Sequence, residues 1–299
     1  GLPVLDAARE RQKMVQVTGF AGPEMESYIC TLYNAIFELI RAEQEKRMHP
    51  QSDTVDAITR AIEETPKMFP AHAAVACQGT EGAYSALAAQ RLFQYPQLSY
   101  YESWEDVFEA IDRGACTYGV LPLENSNAGS VTRVYDLMMR YHVRIVRSTR
   151  IHIDHQLLAK PGTKLSEIRE IFSHPQAIAQ SQEYLTALGV KVTPCENTAQ
   201  AAKMVANSPR QDVAALASRS CASLYGLQPL ASSVQDNGNN HTRFICISKN
   251  TEIYPGADRT SIMVVTPHRP GALYQVMSRF NALGINLIKI ESRPIPDRD

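Results

Sequence analysis

At 299 residues the chain is long enough to bury two or three cores, and its 44% hydrophobic and 20% charged residues are ordinary for a globular protein. Thirty basic against 31 acidic side chains leave a net charge of −1, which excludes the basic footprint of a nucleic-acid binder. No apolar run reaches the roughly 18 residues that a membrane span needs. The segment Gly1-Leu2-Pro3-Val4-Leu5-Asp6 has no signal-peptide core, and the six cysteines are scattered without a CxxC pair, so reduced thiols and a cytoplasmic protein are expected.

Residues 4–49 read as helix throughout. A charged opening breaks near Gly19 to Pro23, and a longer helix over 24–48 carries Tyr28, Ile29, Leu32, Ile36, Leu39 and Ile40 at helical spacing. Two helices enclose little core, so this piece is expected to pack against a further segment or a second copy, as a dimerisation hairpin does. Residues 49–70 form a linker with one short helix, capped by Asp53 or Thr54 and edged by Val55, Ile58 and Ile62.

From His72 onward strands and helices alternate. Strands are expected at 73–77, 98–101 and 118–122, with helices at 83–93, near 104–111 and up to Tyr141. One long β-rich passage spans 143–159. A second set follows, with strands near Ile171, at 190–193 and at 213–216, and helices starting at Pro175, Thr198 and Arg219. Repeated βα units imply parallel sheets with ligands at the C-terminal ends of their strands, and two sets joined by a long strand imply two lobes around a cleft.

The stretch Gln235-Asp236-Asn237-Gly238-Asn239-Asn240-His241-Thr242-Arg243-Phe244 reads as a turn feeding a strand. It delivers neutral hydrogen-bonding groups onto a firm support, with the asparagines fixing the loop. After a linker over 249–259, a strand (260–266), a turn ending at Gly271, a helix (272–283) and a strand (285–291) make a βαβ piece with an open sheet edge.

Several pairings carry no chemistry of their own. His152 and His155 sit at i,i+3 on one expected strand and so face opposite ways, which reads as structural rather than as a metal pair. Gly79-Thr80-Glu81-Gly82 lacks the Walker lysine and the three-glycine dinucleotide pattern. Cys77 and Cys195 read as buried small hydrophobes.

Six loops give the chain a resemblance. Gly79-Thr80-Glu81-Gly82-Ala83-Tyr84-Ser85, Pro122-Leu123-Glu124-Asn125-Ser126, Gly129-Ser130-Val131, Ser173-His174-Pro175-Gln176-Ala177, Asn197-Thr198-Ala199 and Thr242-Arg243-Phe244 follow one another as in prephenate dehydratases. The resemblance covers roughly residues 73–249. It implies a two-lobed α/β fold of the periplasmic-binding-protein kind, and conversion of prephenate to phenylpyruvate with loss of carbon dioxide and water. Aromatisation drives that reaction, so neither a metal nor a cofactor is required.

Thr242 is the expected catalytic hydroxyl, assisting departure of the leaving group. Asn125, Ser173 and Gln180 carry over as neutral donors that bind substrate, Ser173 having a plain helix N-cap as its alternative. Gln180, seven residues beyond Ser173, is expected two turns along the same helical face. Arg243 binds a substrate carboxylate or braces the turn. Glu124 and Glu196 match further substrate-site positions, more as orienters of the donors than as contacts. Arogenate dehydratase, the same chemistry on an aminated substrate, and a non-catalytic two-lobed sensor are the alternatives.

The flanks extend the resemblance to the bifunctional chorismate mutase/prephenate dehydratases. Residues 1–49 are similar to two helices of an all-α chorismate mutase, with Asp6, Arg9, Glu10 and Gln44 at its active-site positions and Ile40 where a serine is expected. The cationic first helix of that family has no counterpart, so no mutase activity is expected from these 299 residues. Residues 260–299 resemble part of an α+β, ferredoxin-like ACT regulatory domain. Gly271, Ala272 and Leu273 with Glu291 and Ser292 match its phenylalanine-binding motifs. The implied organisation is partial mutase (1–49), linker (50–72), dehydratase (73–249), linker (250–259) and partial ACT domain (260–299), both ends being fragments. L-Phenylalanine is the expected allosteric inhibitor, and a homo-oligomer, dimer or tetramer, the expected assembly.

Overall fold

The computed structural model describes residues 6–48 and 52–294. It divides into two units, Gly1–Ala257 and Asp258–Asp299. Among the described residues no helix is long and apolar enough to cross a membrane.

The first unit opens on a helix pair. Helix α1 (Ala7–Ala21) is capped by the Asp6 carboxylate, which accepts from the Arg9 backbone N–H at 3.0 Å, and it stops at Gly22 with φ 75°. Helix α2 (Glu26–Met48) is joined to it by the Glu10–Arg41 ion pair. Val15, Phe20, Tyr28, Leu32, Leu39 and Ile40 remain exposed, as expected of two helices with nothing to close on. Helix α3 (Asp53–Glu64) follows, with Val55, Ile58 and Ile62 also exposed.

The first lobe is built from β1 (His72–Gln78), α4 (Tyr84–Leu92), β2 (Tyr95–Tyr101), α5 (Trp104–Asp112), β3 (Tyr118–Asn125), β4 (Gly129–Ser130), α6 (Thr132–Tyr141), β5 (Arg144–His152) and the late strand β11 (His241–Ser248). Its sheet runs β2-β1-β3-β11-β5, with β4 on β3. Alternation along β11 sends Ile245 and Ile247 to one core with Phe108, Leu121 and Leu137. Phe244 and Cys246 go to the opposite core with Val75, Phe93 and Val120.

The second lobe comprises β6 (His155–Ala159), β7 (Glu170–Ser173), α7 (Pro175–Ala179), α8 (Gln182–Leu188), β8 (Lys191–Pro194), α9 (Thr198–Asn207), β9 (Val213–Ser218), α10 (Arg219–Tyr225) and β10 (Gln228–Ala231). Its sheet runs β10-β6-β9-β7-β8.

Three expectations are corrected here, and two short strands are added. The sheets are mixed, not parallel: β11 is antiparallel to β3 and β5, and β6 is antiparallel to β9 and β10. The passage 143–159 is not one strand. It breaks at Ile153 and Asp154, so β5 and β6 belong to different sheets, and this break is what divides the lobes. The short strands β4 and β10 carry no alternation long enough to be read. In the second unit α11 (Ala272–Ala282) is the one regular element among the described residues; 260–266 and 285–291 form no ladder. Their Ile262, Met263, Val264, Val265, Ile288 and Ile290 are exposed, because strand propensity without a paired neighbour does not make a strand.

The lobes of the first unit touch through main-chain groups. Gly82, at φ +86°, lies so close to α10 that an added Cβ would meet Cys221 Sγ and Leu224 Cδ2 at 3.0 Å. Its carbonyl accepts from Ser218 Oγ at 3.2 Å, and Tyr84 OH donates to the Asp154 carbonyl at 3.0 Å. Residues 250–257, expected as a linker, are anchored: Glu252 Oε2 accepts from Tyr118 OH at 2.8 Å and from Tyr254 OH.

A Gly82→Val substitution both overpacks this joint and forces a left-handed backbone, so it is expected to destabilise the protein by about 1–3 kcal/mol. Urea unfolding of the two proteins measures the difference, and an unchanged midpoint would mean that the joint is not tight.

Candidate active site

The site begins with a turn. After β3 the chain reverses into β4, and the Asn125 side-chain oxygen accepts from the backbone N–H of Asn127 at 3.0 Å and of Ala128 at 2.9 Å. Those donors use up the oxygen, so the amide nitrogen must face the other way. It donates to Thr242 Oγ1 at 2.9 Å and to Asn240 Oδ1 at 2.8 Å. Thr242 lies directly opposite Asn125 in the β3–β11 register, and one position later the register skips Leu123.

The polarity then propagates. With Asn240 Oδ1 accepting, Asn240 Nδ2 is the donor, and it reaches Gln180 Oε1 at 3.0 Å. The same Gln180 oxygen lies 3.1 Å from His155 Nε2. Asn240 is fully buried, His155 is 2% exposed and Thr242 8%. Within this cluster Gln180 Nε2 and His155 Nδ1 are buried with no hydrogen-bond partner, as are five further side-chain atoms elsewhere among the described residues.

Loop 235–240 holds these groups across the lobes. The Asp236 carboxylate caps α8 through the backbone N–H of Gln182 at 2.9 Å and of Glu183 at 3.2 Å, while its own N–H donates to the Gln180 carbonyl at 2.8 Å. Gln235 Oε1 accepts from His155 N at 2.9 Å, and the Asn240 carbonyl accepts from Ile153 N at 2.8 Å. Burial pushes the His155 imidazole pKa down, against the Gln180 hydrogen bond and the nearby Asp154 charge, which raise it. Burial lowers His174 as well.

Two expected donors sit differently. Ser173 is neither an N-cap nor open: it is fully buried at the end of β7, and its hydroxyl donates to the Leu216 carbonyl at 2.8 Å. The N-cap of α7 is His174, whose Nδ1 accepts from Gln176 N at 3.1 Å. Gln180 is not on a continuous helix with Ser173. Helix α7 stops at Ala179, Gln180 is its C-cap, and the break before α8 turns the side chain toward Asn240. Arg243 faces Glu124 across the ladder, Nη1 to Oε1 at 3.5 Å, so here it braces the strand pair.

Glu196 is exposed and lines a cavity of about 990 Å³ with Gly79, Thr80, Phe172 and Gln200. Glu196 also borders a second cavity, of about 570 Å³, with His174 and Cys195. Thr242 and Asn125 line neither of these two cavities, and both are buried. Cys77 is buried and its thiol is pushed up to about 12, but Cys195 is only half buried, contrary to expectation.

The remaining positions lie apart. Asp6 caps α1, Glu10 pairs with Arg41, and Arg9 and Gln44 are exposed. Gly271, at φ +82°, is the N-cap of α11, Ala272 is buried and Leu273 exposed; Glu291 pairs with Lys289 at 3.2 Å, and Ser292 is exposed. Sequence reasoning missed Asn240 and His155 as members of the cluster. For Asn240 a signal existed, since two residues before Thr242 on an extended segment it shares that residue's face.

Comparison with known proteins identifies relatives of the chain. The family model for prephenate dehydratase matches residues 75–252. The chain is 40% identical over 224 residues to arogenate dehydratase/prephenate dehydratase 2 of Arabidopsis thaliana, covering 74% of this chain and 58% of that protein. It is 35% identical over 226 residues to the prephenate dehydratase of Methanocaldococcus jannaschii, covering 73% of this chain and 81% of the relative. A solved prephenate dehydratase from Arthrobacter aurescens, in complex with L-Phe, superposes with TM-score 0.64 at 27% identity, over 74% of this chain and 76% of the other. The chain spans little more than half the length of the plant relatives it matches. By the family model and the archaeal relative together, it belongs to the prephenate dehydratase family.

Proposed function

We propose that the chain converts prephenate to phenylpyruvate, with Thr242 assisting departure of the ring hydroxyl as carbon dioxide is lost. The observation that carries this reading is the hydrogen bond from Asn125 Nδ2 to Thr242 Oγ1 at 2.9 Å. A threonine oxygen that accepts a hydrogen bond keeps its own O–H for another acceptor, and the amide stabilises negative charge that develops on that oxygen. As the carboxyl carbon leaves, its bonding electrons enter the ring and the C–O bond breaks. As the C–O bond breaks, the departing oxygen takes the Thr242 proton and leaves as water, and the threonine oxygen regains a proton from solvent.

The neutrality of the cluster supports the same reading. Prephenate carries two carboxylates, and an ionised acid beside them would repel it. Asn125, Asn240, Gln180 and an uncharged His155 avoid that penalty, and Gln180 Nε2 supplies a donor with no competing partner. Arg243, paired with Glu124 at 3.5 Å, is assigned to a substrate carboxylate on the family resemblance. Glu196 orients groups at the cavity edge, and Ser173 braces β7 against β9.

The aminated substrate is the second reading. Plant relatives carry the names arogenate dehydratase and arogenate dehydratase/prephenate dehydratase, so arogenate competes for the same site. The flanks are assigned on resemblance: residues 1–49 to part of a chorismate mutase, and 260–299 to part of an ACT-type regulatory domain that binds L-phenylalanine in a homodimer or tetramer. The L-Phe complex of the Arthrobacter aurescens relative supports phenylalanine as the effector.

Thr242→Ala is expected to lower kcat for phenylpyruvate formation by roughly 10²–10⁴-fold with little change in KM, and Thr242→Ser to recover part of it. Wild-type kcat on the alanine variant would remove Thr242 from the chemistry. Rates on both substrates decide specificity: kcat/KM is expected to be higher on prephenate than on arogenate, and the reverse order would make the protein an arogenate dehydratase.

A further inference from the structure

Resting on that reaction, we infer that His155 is a positioning residue for it: its Nε2–H, together with Asn240 Nδ2, pins Gln180 Oε1 and so presents the Gln180 amide N–H groups to the substrate. The sequence sets this histidine aside as structural. The structure puts it at the start of β6, 3.1 Å from Gln180, at the far end of the amide chain from Thr242.

The assignment follows from the polarity of the chain. Two backbone N–H groups fix the Asn125 amide, Asn125 fixes Asn240, and Asn240 requires an oxygen at Gln180. A nitrogen approaching that oxygen at hydrogen-bond distance must be a donor, so His155 carries its proton on Nε2. A flipped Gln180 would set its NH₂ against the donors of both Asn240 and His155. The second donor therefore locks the amide more firmly than Asn240 alone, and Gln180 Nε2 stays buried, unpartnered and available.

The neutral form of the ring is part of the device. A second proton would go to Nδ1, which is buried without an acceptor. The groups that bear on the ring are Asp154, whose charge favours protonation, His174, whose charge opposes it, and the Tyr84 ring, edge-on at 6.1 Å. Burial outweighs the Asp154 charge and depresses the imidazole pKa below its ordinary value of 6.5. The ring thus stays neutral at and above that value, and it charges only as pH falls further.

The test uses the full chain. ¹⁵N NMR of the ring at pH 7 should show a protonated Nε2 and a pyridine-type Nδ1; a protonated Nδ1 would overturn the inference whether or not any variant folds. On prephenate, His155→Leu is expected to lose ~10- to 100-fold in kcat, since sub-ångström misplacement of a binding group has effects of that size. His155→Gln, which restores an N–H at the Nε2 position, should recover most of it. Wild-type kcat should fall on the acid side below pH 6.5, and this limb should be absent in His155→Gln. A folded His155→Leu with wild-type kcat and KM, or a His155→Gln no better than His155→Leu, would leave His155 with no positioning role. Absence of turnover by the wild-type protein on prephenate and arogenate alike would instead strike at the reaction itself, and the inference would fall with it.

Discussion

Two backbone N–H groups, those of Asn127 and Ala128, converge on the Asn125 side-chain oxygen in the turn between β3 and β4. That constraint leaves the amide nitrogen one way to point, and each later hydrogen bond in the cluster inherits its direction. Thr242 becomes an acceptor from Asn125, Asn240 a donor to Gln180, and His155 a donor through Nε2. A turn thereby sets the donor face of a site whose members come from both lobes.

The cluster does two jobs with the same bonds. It ties the lobes, because Asn125, Asn240 and Thr242 ride on the first sheet and its entry loop, while Gln180 and His155 belong to the second lobe. It also concentrates neutral donors, which the proposed dicarboxylate substrate would meet without charge repulsion. An unpartnered buried polar group costs about 1–3 kcal/mol, and the protein carries two at this spot, Gln180 Nε2 and His155 Nδ1. A bound acceptor at Gln180 Nε2 would relieve one of those costs.

Much of this was legible in the residues, for identifiable reasons. The βα alternation, the two lobes and the loop before β11 follow from periodicity and turn chemistry. Strand direction did not, because a βα repeat says nothing of late strands such as β11 that return antiparallel. The break at Ile153–Asp154 was hidden inside a run of β-forming residues. The end of α7 was hidden too, since Gln180 and Ser181 are tolerable within a helix and the Asp236 carboxylate that caps α8 comes from 54 residues away in sequence. Thr242 and Asn125 emerged from motif resemblance. His155 did not, since its value lies in a contact 25 residues away in sequence. The segments 260–266 and 285–291 have the composition of strands and, without a neighbour to pair with, not the structure.

The central claim is that Thr242 and Gln180 present free donors to the reacting substrate. The most direct measurement is a crystal structure of the protein with an unreactive prephenate analogue that keeps the ring hydroxyl. The account predicts Thr242 Oγ1 within about 3 Å of that hydroxyl and Gln180 Nε2 on an analogue oxygen, with the Asn125–Asn240–Gln180–His155 chain intact. An analogue held only in the cavity beside Glu196 and Gln200, with Thr242 still covered, would contradict it.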